Sequence, residues 1–432
     1  MASKPAVAAT LIAALLIGCA NTDRGVGREA FEPASSVEET FRWHRAHPEN
    51  TAWWDVVGEQ QAWYFKNIQQ VYPSVTVYRA GPVRELGYRL MDEIANHPVK
   101  TPSGTARFAD FLNGEDSTTM GLVILHEGEI AFEAYPRMEP YQKPIYWSVA
   151  KVLVSTLVAI LEDRGLVDVA NPIELYIPEL KDSELAGISV IDILDMASGI
   201  DCTDNYADFD ACYFRYETAL GDGFRTDSSP DNPYDMLIDF DYGYWAKPGT
   251  RFDYSGVNTF LLGWMVEKIT GMPFQDAFTR EVWRHIGAEA DATFFAGRYG
   301  VPLTHGGFTS SLRDLARFGL LFTPSYGGVS DRRIVSDRYL DRILYGGRPE
   351  LLANSRFGPP PPSDVKHNVY QWDLVFDNGD FYKGGWSGQG LLINAERDYV
   401  AVYAGYFKDA EHSEIDLLPI LREVLEDVFG NP

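Results

Sequence analysis

Four side chains able to attack a carbonyl or carry a proton stand in three short stretches: Ser148 and Lys151 in "YWSVAK", Tyr254 in "FDYSG", and Lys383 in "FYKGGWSG". Ser148 and Lys151 are three residues apart, so on a helix they share one face. From Ile145 to Leu161 the only charged side chain is Lys151. Period and propensity predict a helix there, and the missing polar face predicts that it is buried. A lysine so placed costs several kcal/mol, or gives up its proton with a pKa lowered by up to ~3–5 units. A neutral amine one turn from a hydroxyl can take that hydroxyl's proton. Ser-x-x-Lys alone is expected by chance about once in a chain this long. The bland alternative is a helix-start serine followed by a lysine reaching for the surface. The apolar surroundings favour the buried base.

Tyr254 lies in a turn just before a helix, where a phenol can relay protons if nearby positive charge lowers its pKa. Taken singly it would more often be a packing aromatic. Lys383 precedes a glycine-rich stretch entering a strand. Glycines there allow a ligand close to the backbone, and the lysine offers positive charge to an anion or an oxyanion.

The elements that must position these residues can be read in outline. "MGLVILHEGEIAFEAY" is a β-hairpin turning at Glu127–Gly128, and "GLLINAERDYVAVYAGY" is another turning at Ala395–Asp398. Helices are expected in "VIDILDMASGI", in "NTFLLGWMVEKITG" with Gly271 as its stop, in "TSSLRDLARFGLLF" and in "IDLLPILREVLEDVF". Strands at both ends with helices between predict an α+β fold: an antiparallel sheet flanked by helices, with a helical lobe inserted at about 160–340. A cleft between sheet and lobe is the natural place for a site.

The chain has 432 residues, 45% of them hydrophobic, and a net charge of −25. That is ample for a large core, and the even acidic coat disfavours nucleic acid and bare anionic membrane as partners. The start, "MASKPAVAATLIAALLIGCANTD", has one positive charge, an apolar run to Ile17 and small residues before Cys19. It reads as a secretory signal over residues 1–18. "LIGC" resembles the lipobox of bacterial lipoproteins. That implies a lipid on Cys19, a tether over 19–50, and an exported protein held at a membrane, periplasmic or on the outer-membrane face. Residues 51–115 read as a lead-in packing on the main domain at 116–432. Cys202 and Cys212 fit either a short-loop disulfide in an oxidising space or two buried thiols. No CxxC or HExxH occurs, so no metal is suggested.

Ser148-x-x-Lys151, Tyr254-Ser255-Gly256 and Lys383-Gly384-Gly385 occur in the order and spacing of the three motifs of serine β-lactamases and penicillin-binding proteins. The chain resembles the class C-like branch of that superfamily. Within it, "WSVAKVLVSTLVAILEDRGLVDVANPIELYIPEL", "FDYSGVNTFLLGWMVEKITG", "GGFTSSLRDLARFG" and "SGQGLLINAERDYVAVY" are similar to the 6-aminohexanoate-dimer hydrolases and related esterases. The resemblance covers roughly Val71 to the C-terminus. It implies a β-lactamase/transpeptidase-like fold and a serine hydrolase without metal or organic cofactor. Ser148 would be the nucleophile, Lys151 its base and Tyr254 the proton relay, with the backbone N–H groups of Ser148 and Trp386 as oxyanion hole. Two positions depart from the pattern. Gly256 stands where Asn is frequent, with Asn258 two positions late. Gly384 stands where Thr or Ser is usual, removing a hydroxyl that would help hold a substrate carboxylate. Both departures point to an uncharged ester or amide lying against Gly384, Gly385 and the apolar walls Tyr146, Trp147 and Trp386. The alternatives are a β-lactamase or DD-peptidase, or a non-catalytic lipoprotein that binds cell-wall fragments. An α/β-hydrolase built on Ser387, Asp398 and His412 is a remote rival, since "GWSGQ" fails G-x-S-x-G at its last position.

Overall fold

The computed structural model describes residues 34–46, 56–206, 208, 210–220, 232–241, 243–356 and 361–430. Its centre is a seven-stranded, wholly antiparallel sheet in the order β5-β4-β12-β11-β10-β9-β8. In chain order, β1 is Ser74–Val77, β2 Pro98–Thr101, β3 Gly104–Arg107, β4 Gly121–His126 and β5 Glu129–Ala134. The series continues with β6 Ala292–Phe295, β7 Phe308–Thr309, β8 Val365–Val369 and β9 Trp372–Phe376. It closes with β10 Asp380–Gly385, β11 Gln389–Asn394 and β12 Tyr399–Ala404. Alternation along β12 shows why the sheet needs cover on both sides: Val400, Val402 and Ala404 enter one core, Tyr399, Ala401 and Tyr403 the other. The C-terminal helix Leu417–Phe429 closes the second core. The first core takes the helices between β5 and β8 and the small sheet β1-β6-β7. This is the expected α+β arrangement.

Both expected hairpins form. Glu127 and Gly128 take φ values of 50° and 81° between β4 and β5, the left-handed pair that a tight two-residue turn demands. The apolar run forms the helix Ala150–Asp163, buried from Ala150 through Leu161. The helix Gly256–Thr270 ends on Gly271 at φ 65°, where only glycine avoids a Cβ penalty. "VIDILDMASGI" departs from expectation: its helix covers Val190–Leu194 only. Met196 then turns left-handed, and Gly199 follows at φ 76°, where a Cβ would lie 2.3 Å from the Ala246 carbonyl oxygen. Close packing on the 244–248 segment outweighs helical propensity here.

The signal segment and Cys19 lie outside the described residues. Of the expected tether, residues 37–46 form a helix whose Trp43 stacks on Trp63. Ser36 accepts the Glu39 N–H at its start, half of a capping box that sequence alone could have flagged. The lead-in helix Gly58–Asn67 sends Trp63, Tyr64 and Phe65 into the first core. Cys202 and Cys212 form a disulfide, which decides between the two readings of that pair.

Candidate active site

The nucleophile turn is built by tight packing. Trp147 adopts φ 46°, a left-handed conformation costing of order 1–2 kcal/mol in a non-glycine residue. It opens a single 3-10 turn, Trp147–Val149, that runs into the helix Ala150–Asp163. Strand β10 presses directly on this turn: a Cβ at Gly385 would sit 2.2 Å from the Tyr146 carbonyl oxygen. Gly385 therefore serves close approach of two backbones. Phe65 of the lead-in helix wedges against both Trp147 and Trp386, with ring centroids 5.6 and 6.0 Å away. Gln61 of the same helix accepts from the Ser387 hydroxyl and the Phe407 N–H, each at 2.6 Å. The segment carrying Trp386 is thus braced by residues outside the three motifs.

Four of the expected residues meet. Lys151 is fully buried; its Nζ lies 3.1 Å from Ser148 Oγ and donates to the His305 carbonyl at 2.8 Å. Ser148 in turn is hydrogen-bonded to Tyr254. The Tyr254 hydroxyl accepts from Lys383 Nζ at 2.9 Å. The two ammonium nitrogens lie over the Tyr254 ring, 4.9 Å (Lys151) and 4.7 Å (Lys383) from its centroid. The result is a continuous chain, Lys151–Ser148–Tyr254–Lys383, assembled from residues up to 235 positions apart in a sequence of 432.

Electrostatics separates their roles. Burial pushes the Lys151 pKa down to about 8, against the pull of the Asp204 carboxylate and with help from Lys383. Burial, reinforced by Asp373, holds the Tyr254 phenol well above its usual range. This corrects the expectation of a phenol acidified by nearby positive charge. Tyr254 stays protonated and can pass a proton only as it receives another, whereas Lys151 can lose its own near neutrality. His305, buried and close to Lys151, is held neutral with a pKa lowered to about 3.

The walls include residues that the motifs did not signal. Trp147, Ser148, Lys151 and Trp386 are joined by Asp204, Tyr206, Tyr213, Glu217, Leu303, His305 and Gly306. They leave a cavity of about 10 Å³, room for roughly one water molecule. Tyr213 and Glu217 are one turn apart on the helix Cys212–Leu220. The disulfide closes the loop holding Asp204 and Tyr206 onto the start of that helix. The fully buried Glu217 meets His305 Nε2 at 2.8 Å, and the Tyr216 hydroxyl meets Nδ1 at 2.9 Å. The cysteine pair in "CTDNYADFDAC" was the one available sequence signal for this wall, because it marks a constrained acidic and aromatic loop.

Several expected substrate contacts fall elsewhere. Tyr146 is fully buried, with its hydroxyl donating to the Ser310 carbonyl at 3.1 Å; it is core, not wall. Asn258 is buried on the helix Gly256–Thr270 with its amide 3.5 Å from the Met196 sulfur, so it does not replace the missing motif-two side chain. That space is filled: a Cβ at Gly256 would lie 3.0 Å from the His305 ring and 3.3 Å from Asp204 Oδ1, and the Gly256 N–H donates to Asp204 at 2.6 Å. At Gly384 a Cβ would come within 2.9 Å of the Tyr382 hydroxyl, so the threonine or serine usual there would crowd Tyr382. The rival triad does not assemble. Ser387 bonds Gln61, Asp398 accepts from Ser325 at 2.6 Å, and His412 stacks on Phe407. Each of the three has positive φ, the geometry of separate turns.

The family model for β-lactamase matches residues 105–414. The chain belongs to the β-lactamase family. It is a serine hydrolase, which sets aside the non-catalytic lipoprotein. It is 28% identical over 353 residues to the 6-aminohexanoate-dimer hydrolase of Paenarthrobacter ureafaciens, spanning 81% of this chain and 86% of that one. Among solved structures it is similar to a Bacillus anthracis protein provisionally described as a 6-aminohexanoate-dimer hydrolase. There the TM-score is 0.73 at 19% identity, covering 88% of this chain and 95% of the other. It also resembles EstCE1, a hydrolase with promiscuous acyltransferase activity, with a TM-score of 0.55 at 13% identity over 73% of this chain and 95% of that one. These structural likenesses confirm the β-lactamase-like fold.

Proposed function

We propose that this β-lactamase-family hydrolase cleaves an ester or amide of a small molecule through an acyl-enzyme on Ser148. The observation that carries the reading is the unbroken hydrogen-bonded chain Lys151–Ser148–Tyr254–Lys383 in a buried pocket. Neutral Lys151 takes the Ser148 proton as Oγ attacks the carbonyl carbon. The N–H groups of Ser148 and Trp386 receive the oxyanion, each donor being worth ~10²–10³ in rate. As the tetrahedral intermediate collapses, the proton taken up by Lys151 is delivered by way of Tyr254 to the departing alcohol or amine, so Lys151 is neutral again and Lys383 keeps its charge. A water then attacks the ester on Ser148 and gives its proton to Lys151, which returns it to Ser148 Oγ as the acyl C–O bond breaks and the acid departs.

The identity to a 6-aminohexanoate-dimer hydrolase favours small linear amides, and the likeness to EstCE1 favours esters. The deciding experiment is hydrolysis of short-chain p-nitrophenyl esters and linear amides by the signal-less protein and by Ser148→Ala, with β-lactams alongside. Turnover lost in the variant supports the reading. Equal turnover in both defeats it, and turnover confined to β-lactams moves the assignment to a β-lactamase.

The Cys202–Cys212 disulfide supports maturation in an oxidising compartment and hence export; lipid attachment at Cys19 is proposed from the lipobox-like "LIGC". Labelled palmitate incorporated by the full chain and not by Cys19→Ala would establish the anchor; labelling unchanged in the variant would reject it.

A further inference from the structure

The hydrogen-bonded chain through the site does not end at Lys383. Asp373, on β9, divides its carboxylate between two groups of β10: Oδ1 accepts from Lys383 Nζ at 2.5 Å, and Oδ2 accepts from the Gly384 N–H at 3.0 Å. Lys383 is fully buried, whereas a quarter of the Asp373 side chain reaches solvent. An ammonium has three donors; Tyr254 and Asp373 take two of them. The positive charge that the third motif offers is therefore balanced before any substrate arrives, and the part open to solvent is the acid.

The rest of the site points the same way. Three acidic side chains, Asp204, Glu217 and Asp373, stand around the reacting groups, and Asp373 is the one bonded to Lys383. A substrate carboxylate approaching Lys383 would meet the partly exposed Asp373 before the buried ammonium.

We propose that Asp373 is a specificity-determining and positioning residue: it cancels the charge of Lys383, holds that ammonium against the Tyr254 hydroxyl, and so excludes acyl groups carrying a carboxylate in favour of uncharged ones. The inference rests on the reading of Ser148 as nucleophile. It goes beyond that reading by naming the substrate charge class and the side chain that sets it.

The test compares p-nitrophenyl hexanoate with mono-p-nitrophenyl adipate, which has the same chain length and a carboxylate in place of the terminal methyl. Wild type prefers the neutral ester by about tenfold or more in kcat/KM. Asp373→Asn keeps the side-chain shape and removes the charge. It shifts the adipate-to-hexanoate ratio toward adipate by about tenfold, chiefly through a lower KM for adipate; a merely structural role would lower kcat for both esters and leave the ratio alone. A wild type that takes both esters equally, or an unchanged ratio in the variant, overturns the proposal. Should Asp373→Asn turn over neither ester, the same ratio is read from the Kd values of 3-carboxyphenylboronic acid and phenylboronic acid by tryptophan fluorescence. A shift of about tenfold toward the carboxylate supports the proposal, and an unchanged ratio, or no binding of either acid, overturns it. Absence of any Ser148-dependent hydrolysis in wild type is a separate result: it removes the nucleophile assignment itself.

Discussion

Lys151 and Lys383 are the same side chain under the same burial, on the two sides of one tyrosine, and the fold makes different groups of them. Both are fully excluded from solvent, and burial lowers both pKa values. Lys151 has for direct partners a hydroxyl and a carbonyl oxygen. Neither bears charge, and Asp204, the acid that acts on it most strongly, does so through space and not through a hydrogen bond. Lys383 has a carboxylate at 2.5 Å, which opposes the desolvation. A carboxylate in hydrogen-bond contact works against the loss of charge that burial imposes on Lys383, and the two groups bonded to Lys151 offer no such opposition.

Four experiments would break or sharpen that contrast. The largest effect belongs to the nucleophile both lysines serve: Ser148→Ala should reduce ester turnover by about 10⁴-fold or more, read by p-nitrophenol release, with an unchanged circular dichroism spectrum.

Lys151→Met should cost about 10²–10⁴ in kcat, the usual contribution of a general base. A loss smaller than tenfold would show that another group takes the Ser148 proton.

Lys383→Met differs in kind. It strands the Asp373 carboxylate, so it should lower stability by about 1 kcal/mol more than Lys151→Met does, a modest figure because Asp373 is partly exposed. Thermal unfolding of the two variants side by side checks this. Equal losses would mean that the carboxylate partner does not distinguish the two sites.

The smallest effect is a pH shift. A base must be neutral to act, so kcat/KM should rise with unit slope as pH approaches the Lys151 pKa of about 8, then level off. Asp204 favours the charged form of Lys151, so Asp204→Asn, which keeps an oxygen for the Gly256 N–H, should move the midpoint to lower pH. A midpoint that stays or rises would assign the titration to another group.

Much of the scaffold could be read directly from residue order. The helix Ala150–Asp163 was marked by an apolar run broken by one lysine, the helix Gly256–Thr270 by its period and Gly271, and two hairpins by their turn residues. These are local signals, and the elements formed where local preference and burial agree. The nucleophile pair was legible for the same reason, since three residues on a helix fix a distance. Tyr254 and Lys383 could be picked out as candidates from their turn and glycine-rich settings, but only the resemblance joined them to Ser148, because nothing local says that residues 106 and 235 positions after Ser148 will meet it.

Asp373 shows where residue order stops being enough. Between β8 and β9 the turn residues Tyr370 and Gln371 both have positive φ, at 46° and 68°. That geometry ordinarily calls for Asn-Gly or a similar pair, so "NVYQWD" carries no hairpin signal. The turn is imposed from outside. The Tyr370 N–H donates to Asp195, the Gln371 N–H donates to the Leu194 carbonyl, and the Gln371 side chain bridges Thr259 and the carbonyls of Ile193 and Leu194. Without that support β9 could not be recognised, nor the placement of Asp373 beside Lys383. The amino-acid sequence by itself determined the reacting pair, its helix and the strands of the frame, because neighbours along the chain set their geometry. Only the tertiary structure decided which lysine has a carboxylate bonded to it, because that depends on groups brought in from distant strands and loops.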